Sequence, residues 1–171
     1  MPTLAQLLKR LLERLLPQRE NEERFRIMAE SAPVFVWMSG KDRLCEWFNP
    51  PWLEFRGRTL EQEIGHGWEE GIHPDDLDRC WDAFYSVYEA RREFSVEYRL
   101  LRHDGEYRWM LTRGIPRFGA DGELAGYIGS VIDIHDRRRA EQERILLIDE
   151  MRQALKKAEA VSADRPPSPP E

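Results

Sequence analysis

Two Asp-Gly pairs constrain this chain more than any other feature. Asp104-Gly105 and Asp121-Gly122 each separate segments with strand chemistry. A two-residue Asp-Gly connection favours a β-hairpin, because glycine takes the positive φ of a tight turn without steric cost. Before the first pair, Phe94 to Leu100 alternates apolar and polar with period two. YRWMLTRGI follows at 107–115, and Leu124 to Ile134 forms a last β-branched run. Three consecutive antiparallel strands are predicted.

A second strand pair precedes them. Val34 to Met38 is rich in β-branched and aromatic residues, Ser39-Gly40-Lys41-Asp42 reads as a turn, and Arg43 to Phe48 reads as the hairpin partner. Between the two groups lie short helical pieces, PWLEFRG, TLEQEIG and HGWEEGI, punctuated by Gly57, Gly65, Gly67 and Gly71. Thr59 and Gln62 have the spacing of a capping box. Pro74-Asp75-Asp76 opens a longer helix to about Ala90, with acids where the helix dipole favours them. Its expected apolar face is Leu77, Cys80, Trp81, Phe84, Val87 and Tyr88. Two strands, several short helices and three strands describe an α+β domain: one antiparallel sheet with its helices gathered on one face.

The flanks differ from this middle. TLAQLLKRLLERLL at 3–16 places leucines at 4, 7, 8, 11, 12, 15 and 16, a helical stripe opposite Gln6, Lys9, Arg10, Glu13 and Arg14. That stripe calls for burial on its own domain or on a dimer mate, the alternative being a membrane surface, against which stands the small positive excess of its polar face; Pro17 interrupts it. A second helix is predicted over Glu20 to Ser31, with Phe25, Met28, Ala29 and Ala32 as its apolar side. Asp136 to Val161 reads as a polar helix with a narrow stripe at Leu147, Ile148, Met151, Leu155 and Ala158, close to heptad spacing. SADRPPSPPE has the composition of a disordered tail. The expected organisation is an amphipathic helix over 1–19, a domain over 20–136, an outgoing helix over 137–161 and a tail over 162–171.

Composition narrows the function classes. The 171 residues carry a formal net charge of -6, which argues against a duplex-binding face. No apolar run reaches the roughly 18 residues of a membrane span. The 2 cysteines, Cys45 and Cys80, make neither a disulfide framework nor a four-thiolate zinc site, so no metal is assigned and a cytoplasmic location is expected. There is no Gly-rich phosphate loop, G-x-S-x-G elbow or H-E-x-x-H motif. Glu69-Glu70 and Asp75-Asp76 are adjacent and read as caps and solvated surface rather than as an acid/base pair. No enzymatic activity is expected. The aromatic residues Trp37, Trp47, Trp52, Phe55, Trp68, Trp81, Phe84, Tyr98 and Trp109 supply a core and, where they face a cleft, a pocket wall. Strand alternation forbids Trp47 and Phe48 from both pointing inward. The expected lining is Trp52, Phe55, Trp68, Phe84, Tyr98 and Trp109.

Several segments in order resemble the PAS domain with its C-terminal PAC extension. These are EERFRIMAESAP, FNPPWLEFRGRTLEQEIGHGW, HPDD at 73–76, EYRLLRHDGEYRWM at 97–110 and GYIGSVIDIHDRRRAEQE at 126–143. The resemblance covers about Phe25 to Arg139 and departs at His135, where the family's junction has Thr. It implies a five-stranded antiparallel sheet with short helices on one face and a cleft between them. It implies a sensory and interaction module in signal transduction, and an acid–arginine junction at Asp133 and Arg137 that ties the last strand to the outgoing helix. Haem is not supported: no His lies between Pro74 and Ala90, His73 reads as a cap, His66 as a loop residue, His103 as a hairpin shoulder, and Cys80 as a buried structural thiol. Flavin photochemistry is not supported either, since the family's N-C-R-F-L-Q run is absent and Cys45 sits in RLCEWF. The cofactor therefore stays unassigned. The expected partners are a second copy of the chain, a signalling kinase or another PAS protein, and a small-molecule ligand, with neither nucleic acid nor membrane. A sensory part of a histidine kinase, with EMRQALKK where a phosphoacceptor His would lie, and a ligand-free dimerisation module are the alternatives.

Overall fold

The computed structural model describes Glu23 and residues 26–163, with side chains to residue 157. The leucine stripe at 3–16 lies outside the described residues. Helical residues 26–30 (α1) lead into β1 (Phe35–Ser39), which pairs antiparallel with β2 (Cys45–Phe48). Then come α2 (Pro50–Arg56), α3 (Leu60–Glu63), two 3-10 turns (Gly67–Gly71 and Pro74–Asp76) and α4 (Leu77–Ala90). The meander β3 (Phe94–Leu101), β4 (Tyr107–Phe118) and β5 (Leu124–Asp133) completes one sheet of order β2-β1-β5-β4-β3, antiparallel throughout. Gly105 and Gly122 take positive φ, 90° and 78°, in the two predicted turns.

Local chemistry sets the helix ends. Asn49, fully buried, caps α2 by accepting the Trp52 N–H. Its Oδ1 also accepts the Val36 N–H at 2.9 Å, while Nδ2 donates to the Ala29 and Val34 carbonyls at 3.0 and 2.9 Å. One side chain thus ties α1, the start of β1 and α2 together. Gln62 Oε1 accepts the Thr59 N–H at 2.9 Å, as the capping-box spacing predicts. Two expectations fail on helix faces. Trp81 is 42% exposed and Met28 is 72% exposed, so neither belongs to the core.

The core lies between the helical segment and one face of the sheet. Trp52, Cys80, Phe84 and Tyr88 come from the helices; Trp37, Phe48, Phe94, Tyr98, Leu100, Met110, Tyr127 and Val131 come from the strands. Of the adjacent pair Trp47 and Phe48, Phe48 is the one buried. Across the inner face, the register aligns Trp37, Gly129, Gly114 and Phe94 in a single row over β1, β5, β4 and β3. The two rings lean over the two glycines: a Cβ on Gly129 would lie 2.4 Å from the Trp37 indole, and one on Gly114 would lie 2.3 Å from Phe94.

The chain divides into two compact units at Asp133/Ile134. The second is α5 (His135–Ala163), a single helix about 43 Å long at 1.5 Å per residue. It exposes Leu146 (63%), Leu147 (59%), Met151 (71%) and Leu155 (60%). Among the described residues, no helix is long and apolar enough to cross a membrane.

Candidate ligand cavity

The aromatic residues converge on one enclosed apolar space. Its walls are Trp37, Phe94, Val96, Tyr98 and Thr112 from β1, β3 and β4, Cys45 and Phe48 from β2, Trp52 from α2, Trp68 from the first 3-10 turn, and Cys80 and Phe84 from α4. Phe84 sits at the centre, with ring centroids 5.8 Å from Trp37, 6.1 Å from Trp68 and 5.9 Å from Phe94. The space measures about 30 Å³. A single water needs roughly 10–15 Å³, and a cavity of about 150 Å³ holds benzene.

Four of the six expected lining residues, Trp52, Trp68, Phe84 and Tyr98, form the wall. Phe55 does not: its ring packs against Phe35 at 5.0 Å. Trp109 does not either. It lies one position before the inward-facing Met110, so pleating turns it to the other face, where the Arg99 guanidinium sits 5.4 Å from its ring centroid. Trp37, Cys45, Phe48, Phe94, Cys80, Val96 and Thr112 take their places.

The wall is nearly without free polar groups. Trp37 Nε1 donates to Thr112 Oγ1 at 3.1 Å, and Thr112 Oγ1 donates to the Ser130 carbonyl at 3.3 Å. Burial pushes the Cys80 thiol up to about 12, and raises the Cys45 thiol and the Tyr98 phenol further still. All three stay protonated at neutral pH. None of the wall residues is charged, so the cavity favours a small neutral guest and disfavours an ion, whose desolvation nothing here offsets.

Two buried acids hold the wall from behind. Glu63, fully buried, accepts Trp52 Nε1 at 2.8 Å and pairs with Arg58 Nε at 2.8 Å and Arg56 Nε at 3.4 Å. Trp52 is thereby fixed while its ring stacks on Phe48 at 4.9 Å. Asp76, at 2% exposure, is the second. The expectation of solvated surface holds for Asp75 but fails for Asp76, because Arg99 and Arg79 converge on that carboxylate. Neither acid was legible from periodicity: TLEQEIG and HPDD both look like polar helix starts. His73 caps the second 3-10 turn, its Nδ1 accepting the Asp75 N–H at 3.3 Å, while His66 and His103 are on the surface. Among the described residues, no group of three or more His, Cys, Asp or Glu is placed to hold a metal ion.

At the sheet end, Asp133 accepts a hydrogen bond from Arg108 Nε of β4 at 2.5 Å. The residues that pair here are 25 positions apart, so local sequence carries no signal for the contact. Arg137 lies in α5, four positions further along the chain.

Comparison with known proteins agrees with this geometry. The PAS fold family profile matches residues 46–131, just over half of the 171-residue chain. The chain is 41% identical over 128 residues to the protein y4lL of Sinorhizobium fredii, covering 75% of this chain and 16% of that protein. It is 36% identical over 135 residues to the methyl sulfide methyltransferase-associated sensor of Methanosarcina acetivorans (72% of this chain, 12% of the sensor). It is 26% identical over 147 residues to the peroxide stress-activated histidine kinase mak1 of Schizosaccharomyces pombe (78% and 9%). The chain thus spans 16% or less of the length of these relatives. Among solved structures, a sensory box histidine kinase/response regulator from Burkholderia thailandensis superimposes with a TM-score of 0.57 at 27% identity, over 76% of this chain and 98% of that one.

Proposed function

This chain belongs to the PAS family and is homologous to the sensory domains of histidine kinases, and from that premise we propose that it senses a small neutral molecule and transmits the signal as a dimer through α5. The observation that carries this reading is the cavity. Its walls come from both the sheet and the helical segment, so a guest changes how Phe84 and Trp68 pack on Trp37 and Phe94. At about 30 Å³ the space suits a neutral ligand of a few heavy atoms. A haem or flavin ring system does not fit a space of this size.

The output path follows the chain. β5 ends at Asp133 and α5 starts at His135. Asp133 and Arg137 form the signal junction in this reading: a bias of a few kcal/mol between two arrangements is enough for a switch. The exposed stripe of α5, centred on Met151 and Leu155, supplies the pairing surface for a second copy. A signalling kinase or another PAS protein receives the signal in the cytoplasm, and the domain itself performs no catalysis.

Peroxide sensing, named for the fission-yeast relative, does not extend to this chain through thiol chemistry. Attack on peroxide needs a thiolate, and burial holds both thiols in the neutral form.

Native mass spectrometry of the purified protein, with an absorbance spectrum of the same sample, tests the sensor reading. A bound mass of a few heavy atoms with no visible band is the expected result. A Soret or flavin band overturns the ligand class. A side-chain-filled core that takes up nothing, including xenon under pressure, leaves a dimerisation module instead.

A further inference from the structure

A buried tyrosine ordinarily finds a partner for its hydroxyl, because a desolvated O–H left unpaired costs free energy. Two tyrosines of the core follow that rule. Tyr88 bonds to Ser39 and to the Gly40 carbonyl, and the Tyr127 hydroxyl is shared between the Val87 and Arg92 carbonyls. Tyr98 does not. It is 3% exposed and lines the cavity, yet among the described residues its hydroxyl makes no hydrogen bond. The titratable groups that act on it most are Cys80 and Cys45, both in the same wall. Burial keeps the phenol protonated, so at neutral pH it remains a donor. Its position is fixed as well. Tyr98 lies opposite the fully buried Met110 on β4, and the backbone N–H of the next residue, Arg99, is tied to Asp76 at 2.9 Å.

We propose that the Tyr98 hydroxyl anchors the guest of this cavity, and that the guest is a neutral carbonyl compound of about four heavy atoms, its oxygen accepting the Tyr98 proton. The assignment rests on the reading of the cavity as a ligand site and names the chemistry that site selects. A donor set in an apolar surround matches one acceptor on an apolar body. The second hydroxyl of the wall, Thr112, is already spent: it accepts from Trp37 Nε1 and donates to the Ser130 carbonyl. The two thiols are weak donors and acceptors. A buried water typically makes about three hydrogen bonds, more than this wall provides. An alcohol of the same shape brings a proton of its own, so one of the two protons stays unpaired whichever way the pair bonds. A carboxylate would lose its hydration with no cation in the wall to replace it. A carbonyl leaves nothing unpaired.

The test uses the full chain, with acetone as the probe and Tyr98→Phe as the variant, which removes one oxygen and keeps the ring. Followed by nuclear magnetic resonance titration, the wild-type protein should bind acetone about tenfold more tightly than the variant, the factor expected for one hydrogen bond in a buried site. It should also bind acetone more tightly than propan-2-ol. Xenon under pressure should enter both proteins alike, showing that the variant keeps its cavity. Equal acetone affinity in the two proteins, with xenon in both, overturns the Tyr98 anchor and leaves the ligand cavity standing. Xenon in neither protein overturns the ligand cavity and the anchor with it. A second measurement needs no variant. In the wild-type protein, nuclear Overhauser contacts from the acetone methyl groups to the Tyr98 ring are expected. Contacts only to residues outside the cavity, or none, sink the proposal.

Discussion

Asp76 and Arg99 meet through three hydrogen bonds. The Arg99 backbone N–H reaches Asp76 Oδ2 at 2.9 Å, Nε reaches the same oxygen at 2.8 Å, and Nη2 reaches Oδ1 at 3.0 Å. Arg79 Nη2 adds a fourth at 2.9 Å. The pair locks the start of α4 to β3 just outside the cavity, between wall residues Cys80 and Tyr98. Two of its bonds hold a planar guanidinium in a fork, which fixes direction as well as distance.

This contact makes stability depend on pH in one direction. The Arg99 hydrogen bonds hold the Asp76 carboxyl down at about 2, against 3.8 for a free carboxyl. Its folded pKa is depressed, so the stabilisation is complete above pH 4 and is lost as pH falls through about 2. Asp76→Asn should cost about 2 kcal/mol at pH 7. Urea melts at pH 7, 4 and 3 should show the gap to wild type closing only below pH 4. A gap independent of pH would mean that shape, not charge, matters there.

Glu63 sits between two guanidiniums and an indole. Glu63→Gln removes the charge and leaves Arg56, whose side chain is 4% exposed, without its ion-pair partner. Removing one partner of a buried pair costs about 3–5 kcal/mol. Trp52 should also loosen, which steady-state tryptophan fluorescence would register as a red shift. A variant as stable as wild type would show that water, not protein, screens this site.

The row Trp37-Gly129-Gly114-Phe94 predicts an unusual sensitivity to a single methyl group. Gly129→Ala drives a Cβ into the Trp37 ring and should cost about 1–3 kcal/mol, the range for overpacking. Trp37→Leu in the same chain should recover part of that cost. A double-mutant cycle showing additive effects would refute the contact.

Both thiols should be silent in the folded protein. Iodoacetamide at pH 8 should modify Cys45 and Cys80 only as fast as the protein unfolds, and dimedone should trap no sulfenate after hydrogen peroxide. A dimedone adduct on Cys80 under native conditions would reinstate thiol-based sensing.

α5 should carry the dimer. Met151→Glu with Leu155→Glu places charges in the exposed stripe and should halve the mass seen by light scattering, with the PAS domain still folded. A dimer that survives both charges places the interface elsewhere.

The elements follow from local sequence alone. Period-two alternation, the two Asp-Gly turns, the Thr59–Gln62 capping box and the Pro74 helix start are all local, and each specifies backbone conformation within a few residues. That is why the five strands, the helical segment and the α+β class were legible. What depends on distant register came from long-range strand pairing. It placed β1 beside β5, and so Trp37 and Phe94 over a pair of glycines. It turned Trp109 outward and set Phe55 against Phe35 instead of the cavity. It buried Glu63 and Asp76, whose arginine partners reach them from other positions in the fold. Alternation says that one face of a strand is buried, but not which face. The answer comes only when strands far apart in the chain pair and a one-residue shift would exchange core for solvent.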